Sequence, residues 1–285
     1  MIRISNAVRN AWNAANVFGL PDAIMIHWLK ARRSKTATRV KVKDLPGGLW
    51  MRPHGTDLQV AMQTWYECEY GLNWCKPYQD HILGLCQQAH VAGDTPLIID
   101  VGANIGASTL LFAKSFPGCQ VFAIEPDPEN FAMLEKNTAN PPNITPVHAA
   151  LWDKPINLSM LWPGTGWGCR VREGMSGNAA FPGITIPDLL AHDRRLRPII
   201  VKIDIEGAEV SALRGDTGWV DQVPLMIFEQ HDNLWHWLGP WQGSGDAFHQ
   251  VLHRKKREYL RSNRSENDYA FLHPEAIEAA AVNSM

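Results

Sequence analysis

At 285 residues the chain can bury a sizeable core, either as one large domain or as one domain with an extension. Hydrophobic residues at 45% and charged residues at 20% exclude wholesale disorder, and a formal net charge of −2 argues against general affinity for nucleic acid. Five cysteines, Cys68, Cys75, Cys86, Cys119 and Cys169, form no CxxC pair and read as free thiols of a reducing, cytoplasmic compartment.

From the N-terminus, Ile4, Val8, Ala11, Trp12, Ala15 and Phe18 fall at helical spacing, with Arg3, Asn6, Arg9 and Asn10 opposite. Pro21 interrupts this amphipathic helix, and a second short helix is expected from Asp22 to Ala31, before ARRSK. The segment VFGLPDAIMIHWL is short and broken by Pro21, Asp22 and His27, so it fits neither a membrane span nor a secretory signal. The arm is read as packing on the main domain or on a second subunit of a homo-oligomer. A basic helix at a membrane surface is the sharper alternative, set lower because the apolar face is weak for an anchor.

TRVKVKDL and LWMRP alternate like strands around Pro46-Gly47-Gly48, which predicts a hairpin turning there. TDLQVAMQTWYECEYGL and KPYQDHILGLCQQAHVAG read as helices, the second stopping at Gly93. From residue 97 strands and helices alternate regularly. Strand LIIDV leads to a helix over Ala107 to Ser115, strand QVFAIE leads to helix PDPENFAMLEKNTA, and ITPVHAAL reads as one further strand. After a loop-rich stretch come strand PIIVKID, helix EGAEVSALR with Gly215 as its C-cap, and strand PLMIFEQH. HRKKRE at 253–258 reads as a solvated helix face, and DYAFLHP as a last strand. Near-continuously apolar strands separated by helices imply a parallel, doubly wound sheet covered on both faces.

Open sheets of this kind bind ligands at the carboxyl ends of their strands. Asp100, Glu125, the Ala150/Leu151 region, Asp204, Glu206, Glu229 and His231 should therefore share one rim. The loop DVGANIGAS fails as a dinucleotide cradle, because Asn104 and Ala107 stand where GxGxxG wants its second and third glycines. What remains is D-x-G-x-N-x-G, in which Gly102 and Gly106 let the backbone approach a ligand closely. An acid at the strand end suits a cofactor with a cationic end, as S-adenosylmethionine (SAM) has in its ammonium and sulfonium. Glu125, nineteen residues after Gly106, can accept both hydroxyls of a ribose. The combination favours SAM over NAD, and an NAD-binding oxidoreductase is the alternative.

IDVGANIGAST, AIEPDPENF, HAALWD, VKIDIEGAEVSALRG and IFEQH together resemble the FkbM family of SAM-dependent methyltransferases, and GLWMRPHGTDLQVAMQTWYECEY resembles that family's entry segment. The resemblance covers roughly residues 40–232, and KIDIEGAE is its most specific part. It implies a Rossmann-like, doubly wound α/β fold with a mostly parallel sheet of seven strands, to which the spacing of the preceding residues adds an N-terminal helical and hairpin extension. The chain then divides into an arm over 1–35, flanking hairpin and helices over 36–95, and a methyltransferase domain over 96–285. It implies transfer of the SAM methyl to a hydroxyl of a sugar or polyketide-like small molecule. Asp100, Gly102, Asn104 and Gly106 would line the methionine end, Glu125 would hold the ribose, and Ala150 and Leu151 would edge the adenine. Asp204 and Glu206 would face the departing methyl.

A hydroxyl must lose its proton during transfer, so a neighbouring base helps. Lys202 and Asp204 share one side of their strand, Glu206 follows at the turn, and Glu229 and His231 arrive from the next strand. In one reading Glu206 or His231 is the general base. In the other, Asp204, Glu206 and Glu229, with His231, hold a divalent cation that lowers the pKa of the hydroxyl. The plainer roles are a helix-capping Glu206 and a solvated His231. Twelve tryptophans against five tyrosines are unusual, and Trp162, Trp167, Trp235 and Trp237 lie in glycine-rich segments leaving the same rim. They suit stacking on a flat acceptor face, or else form a satellite core or interface. A member without catalysis, binding only SAM or a partner, is the remaining alternative.

Overall fold

The computed structural model describes residues 6–73, 76–161, 170–174, 180–206, 208–231, 244–255, 258–261 and 267–271. Helices α1 (Asn6–Phe18) and α2 (Leu20–Ala31) break at Gly19, whose φ of +78° only glycine adopts freely, with Pro21 placed in the first turn of α2. Strands β1 (Thr38–Val42) and β2 (Leu45–Met51) form an antiparallel hairpin. Its turn is Lys43-Asp44, not the expected Pro46-Gly47-Gly48, which lies inside β2. Asp44 takes the left-handed conformation the turn needs (φ 62°), a role open to Asp as well as Gly. Gly48 instead serves close approach, since a Cβ there would stand 2.4 Å from the Val40 carbonyl oxygen.

Helices α3 (Asp57–Trp65) and α4 (Lys76–Val91) precede the main sheet. That sheet gathers β3 (Thr95–Val101), β4 (Gln120–Ile124), β5 (Ile144–Val147), β10 (Leu196–Ile203), β11 (Leu225–Glu229), β12 (Glu258–Arg261) and β13 (Asn267–Phe271). Its order is β12-β13-β11-β10-β3-β4-β5. The five strands from β11 to β5 are parallel, and β13 and β12 continue the edge antiparallel. Central β3 has Leu97, Ile98 and Ile99 without exposure, the environment that a run with no polar face requires. Helices α5 (Ala107–Ser115) and α6 (Pro128–Thr138) follow β3 and β4. From β3 the chain moves outward through β4 and β5, then returns to β10 on the other side, so the switch point lies between β3 and β10.

Several expectations are corrected. ITPVHAAL is two strands: β5 ends at Val147, and β6 (Ala150–Leu151) joins a separate small sheet with β7 (Asn157–Leu161), β8 (Arg170–Glu173) and β9 (Ala180–Ile184). The stretch read as loop-rich holds this sheet and α7 (Ile186–Ala191), opened by a Thr185/Asp188 capping box. EGAEVSALR gives only one turn, α8 (Glu209–Ala212). Gly215 is no left-handed cap; a Cβ there would lie 2.6 Å from the Asp153 carbonyl oxygen, so it permits a close crossing. Of HRKKRE, His253 and Arg254 end α9 (Ser244–Arg254) and Glu258 starts β12, while residues 256 and 257 lie outside the described residues. No helix among the described residues is long and apolar enough to cross a membrane.

One side chain of α6 hydrogen-bonds the hairpin to the helical layer on the main sheet. Asn137 on α6 accepts from the Trp50 N–H (2.7 Å) and donates to the carbonyls of Trp50 (3.0 Å) and Ile105 (2.8 Å). Val40, Val42, Leu49 and Met51 share one hydrophobic cluster with Ile98, Phe112 and Leu134. Asn137→Ala strands these buried backbone groups and should cost about 1–3 kcal/mol in urea unfolding. Hydrogen exchange of the Trp50 amide should quicken at the same time.

Candidate functional site

The loop after β3 carries three left-handed residues, Gly102 (φ +77°), Asn104 (φ 51°) and Gly106 (φ +87°). A Cβ on Gly102 would fall 1.7 Å from the Asp204 carbonyl oxygen, so only glycine lets the β3 and β10 ends meet here. Asn104 tolerates its conformation as few other side chains do, and its Oδ1 accepts from the Ile105 N–H (2.8 Å). The loop is therefore built on a left-handed Asn where a dinucleotide loop would use glycine.

Glu125 follows β4, almost fully buried. Its Oε2 accepts from the Asn104 N–H (2.8 Å) and its Oε1 from the Asp127 N–H (2.9 Å). Burial pushes this carboxyl up to about 7 against those donors. Asp127 then caps α6, accepting from the N–H groups of Glu129 and Asn130. A cleft open to solvent, with about 1210 Å³ of empty space, runs from Glu125 past Gly102 and Asn104 to Asp204, Glu206 and Glu229. Ala150 and Leu151 of the small sheet line it as well.

Asp100 does not line the cleft. It is fully buried, its Oδ2 accepting from the hydroxyls of Ser108 (2.8 Å) and Thr109 (2.6 Å), so it fastens the start of α5 to β3. Lys202 of β10 lies beside it, buried, with Nζ 3.3 Å from Asp100 Oδ1 and 3.4 Å from Asp204 Oδ2. The same ammonium donates to the Gly102 carbonyl (2.8 Å) and stands 4.8 Å from the Tyr70 ring centre. Burial works against its charge, but Asp100, Asp204 and Glu229 outweigh that and hold it at about 12. Lys202 is thus a cation held between two carboxylates and a backbone carbonyl.

The far end of the cleft concentrates acids. Glu206 is half-exposed on a left-handed backbone (φ 53°), ahead of α8, so it does not cap that helix. His231 lies behind the carboxylates, not on the cleft wall and not solvated: it is buried, with Nδ1 2.7 Å from Glu209 Oε1. Its Nε2 faces Asp204 Oδ1 (3.6 Å), Glu206 Oε2 (3.7 Å) and Glu229 Oε1 (3.9 Å). Burial opposes the imidazolium, but Glu209 above all, then Asp204 and Glu206, push its pKa up to about 10. Burial and Asp204 raise Glu229 to about 9, and burial raises Glu206 to about 7. Asp204 goes the other way: burial would raise it, but Lys202 and His231 hold it below the usual range. Asp204, Glu206 and His231 each offer one ligand atom, and these atoms lie within 4.8 Å of one another.

Two groups here escaped sequence reasoning. Tyr70, ahead of α4, donates to Asp204 Oδ2 (2.8 Å) and lies 3.3 Å from Glu229 Oε2. Nothing local links it to residues 134 and 159 positions away. Glu209 stands in the EGAE element, and its full burial, unusual for an acid, is the signal that a short helix hides. Trp162, Trp167, Trp235 and Trp237 lie outside the described residues.

A parallel α/β sheet with a left-handed glycine loop, a buried acid after the next strand and an acidic pocket at the switch point defines a Rossmann-like protein of the methyltransferase class. The chain belongs to the FkbM methyltransferase family, whose model, described as a methyltransferase FkbM domain, matches residues 100–266. It is similar to the hexuronic acid methyltransferase AglP of Haloferax volcanii, 27% identical over 154 residues, which are 54% of this chain. The match spans 62% of that relative's length. Among solved structures it is similar to the human methyltransferase 10 domain containing protein (TM-score 0.41, 10% identity, 95% of this chain and 100% of that one). It is also similar to Aeropyrum pernix fibrillarin in complex with natively bound S-adenosyl-L-methionine (TM-score 0.34, 11% identity, 63% and 65% of the two chains).

The raised pKa values fix the sign of a pH effect. Glu229 shifts from 4.5 to about 9 and His231 from 6.5 to about 10, so both bind more protons in the folded state. Their contributions are full below the unfolded values and are lost as pH rises through the folded ones, from about 4.5 to about 10. Glu229→Gln removes one of the two and should leave a shallower decline across pH 5–9, with a higher Tm than the parent at pH 9. An unchanged slope in a pH series of thermal melts would contradict the burial argument.

Proposed function

We propose that this chain is a SAM-dependent O-methyltransferase acting on a hydroxyl of a sugar or similar small polyol. The observation that carries the reading is one cleft with a buried, cleft-lining Glu125 at one end and a proton-accepting carboxylate cluster at the other. Glu125 uses two of its roughly four acceptor sites on backbone N–H groups, which leaves acceptor capacity for ribose hydroxyls. The Gly102–Asn104 backbone would hold the methionine end, and apolar Ala150 and Leu151 would edge the adenine. When bound, SAM supplies a methyl group activated on a sulfonium. Asp100 would act through the loop it fastens, not by contact. The relative's name, hexuronic acid methyltransferase, supports a sugar acceptor.

The chain's own groups divide the proton work. Glu206 is the base: it lines the cleft, and its pKa of about 7 suits proton acceptance near neutral pH. His231, an imidazolium held by Glu209, stands 3.7 Å from Glu206 and compensates the charge of the carboxylates around it. Tyr70 and Lys202 fix Asp204, which would orient the acceptor by accepting from a second hydroxyl. A second reading has a divalent cation held by Asp204, Glu206 and His231, favoured by the closeness of their ligand atoms and by Glu209 orienting the imidazole as a supporting carboxylate does.

Isothermal titration should give SAM binding and none of NAD, and Glu125→Ala should weaken SAM by about 10- to 100-fold through lost charged hydrogen bonds. Glu206→Gln should lower kcat by about 10²–10⁴-fold with the SAM Kd unchanged. Normal kcat in Glu206→Gln rejects the base assignment. Activity lost to a chelator and restored by added Mg²⁺ or Mn²⁺ decides for the cation reading.

A further inference from the structure

We propose that α2 and the basic segment behind it dock this protein on an anionic phospholipid surface. The N-terminal arm has two apolar sides. Ala23 and Ile26 of α2 are buried against the core, which is the ordinary use of an amphipathic helix. Leu20, Ile24 and Trp28, spaced by four residues, form a second stripe that is 63%, 60% and 51% exposed. Trp12 on α1, which packs against α2, is 69% exposed. A helix face meant for water carries polar groups at these positions, not three large apolar side chains in a row. The weak apolar face read from the sequence belongs to α1; the outward stripe on α2 emerges only once the fold shows which side is buried.

Charge identifies the occupant. Immediately past the stripe, Lys30, Arg32, Arg33 and Lys35 are all exposed, and the Arg32 guanidinium lies 4.0 Å over the Trp28 ring. Lys41 and Lys43, also exposed, are held next to the arm by two hydrogen bonds. Asp22 of α2 accepts from the Lys41 N–H (2.7 Å), and Val17 of α1 accepts from the Lys43 N–H (2.8 Å). Residues 1–43 carry nine basic residues against one acid, while residues 44–285 carry 18 against 28. A chain of net −2 is thus strongly bipolar along its sequence, and Lys30, Arg32, Arg33 and Lys35 follow the apolar stripe directly.

An anionic bilayer satisfies both features at once. The apolar side chains enter the headgroup boundary, where Trp is favoured, and the flanking cations meet lipid phosphates. A symmetric pairing of two copies through this patch would repeat the same surface on both sides and crowd cations together. Nucleic acid would use the cations but leave the stripe in water. Because the arm is hydrogen-bonded to the hairpin and shares the main core, docking would carry the whole folded chain to the surface.

The test is flotation of the full chain with phosphatidylcholine vesicles, with and without added phosphatidylglycerol. We expect partitioning onto the anionic vesicles at least about tenfold above the neutral ones, falling as salt is raised. Ile24→Ser/Trp28→Ser and, separately, Arg32→Glu/Arg33→Glu should each reduce it by about tenfold or more, with melting curves like the parent's, since these side chains are exposed. The salt dependence of the parent needs no variant and guards against a misfolded one. Failure of the parent to float with anionic vesicles overturns the proposal, as does equal flotation with neutral ones. A concentration-dependent dimer that the Ile24/Trp28 variant dissolves, in a chain that ignores vesicles, assigns the stripe to a second copy and also overturns it.

Discussion

One buried ammonium joins the two halves of the sheet. Lys202 sits at the switch point between β3 and β10, and its Nζ reaches Asp100, Asp204 and the Gly102 carbonyl within 3.4 Å. Each contact fixes a different part of the site: the start of α5 through Asp100, the glycine loop through Gly102, and the acidic pocket through Asp204. A buried cation is tolerated only when paired and hydrogen-bonded, and an unpaired buried carboxylate is as costly. The three groups therefore hold one another in place, and the cleft takes its shape from them.

The acidic end shows how one environment sets neighbouring carboxyls apart. Asp204, with Lys202, His231 and the Tyr70 hydroxyl beside it, is held below the usual carboxylate range, whereas burial and the Asp204 charge push Glu229, in the same pocket, up to about 9. Glu206, nearer to solvent and to the His231 imidazolium, falls between them. Groups whose environments drive their pKa values apart are the arrangement expected of a site that moves protons. His231, one of the two bases the sequence offers, is instead held as an imidazolium by Glu209 and the neighbouring carboxylates.

Most of the frame was legible because it rests on local rules. LIIDV is apolar on both faces, Gly102 and Gly106 punctuate strand and helix, and an acid ends the next strand at Glu125, so the parallel core and the rim residues follow from period and spacing. The errors fall where local signals compete. Two glycines at 47–48 drew the turn away from Lys43-Asp44, since Asp can take the left-handed conformation without announcing it. HAAL carries a strand pattern across the break at His148-Ala149 because β6, only two residues long, pairs with a distant partner, β9. EGAEVSALR has helical composition, but tertiary packing leaves it one turn and turns Glu209 inward onto His231.

The sequence by itself determined the strand order's raw material, the glycine loop and the chemical inventory of the rim, because these depend on backbone conformation and on contacts a few residues apart. Only the tertiary structure decided which acids face the cleft and which lie behind it. It withdrew Asp100 from the ligand wall, added Tyr70 from far upstream, and gave Glu209 to His231. Those outcomes depend on burial and on contacts across more than 20 residues, and side-chain energetics at such range are set by the packed fold, not by any window of sequence.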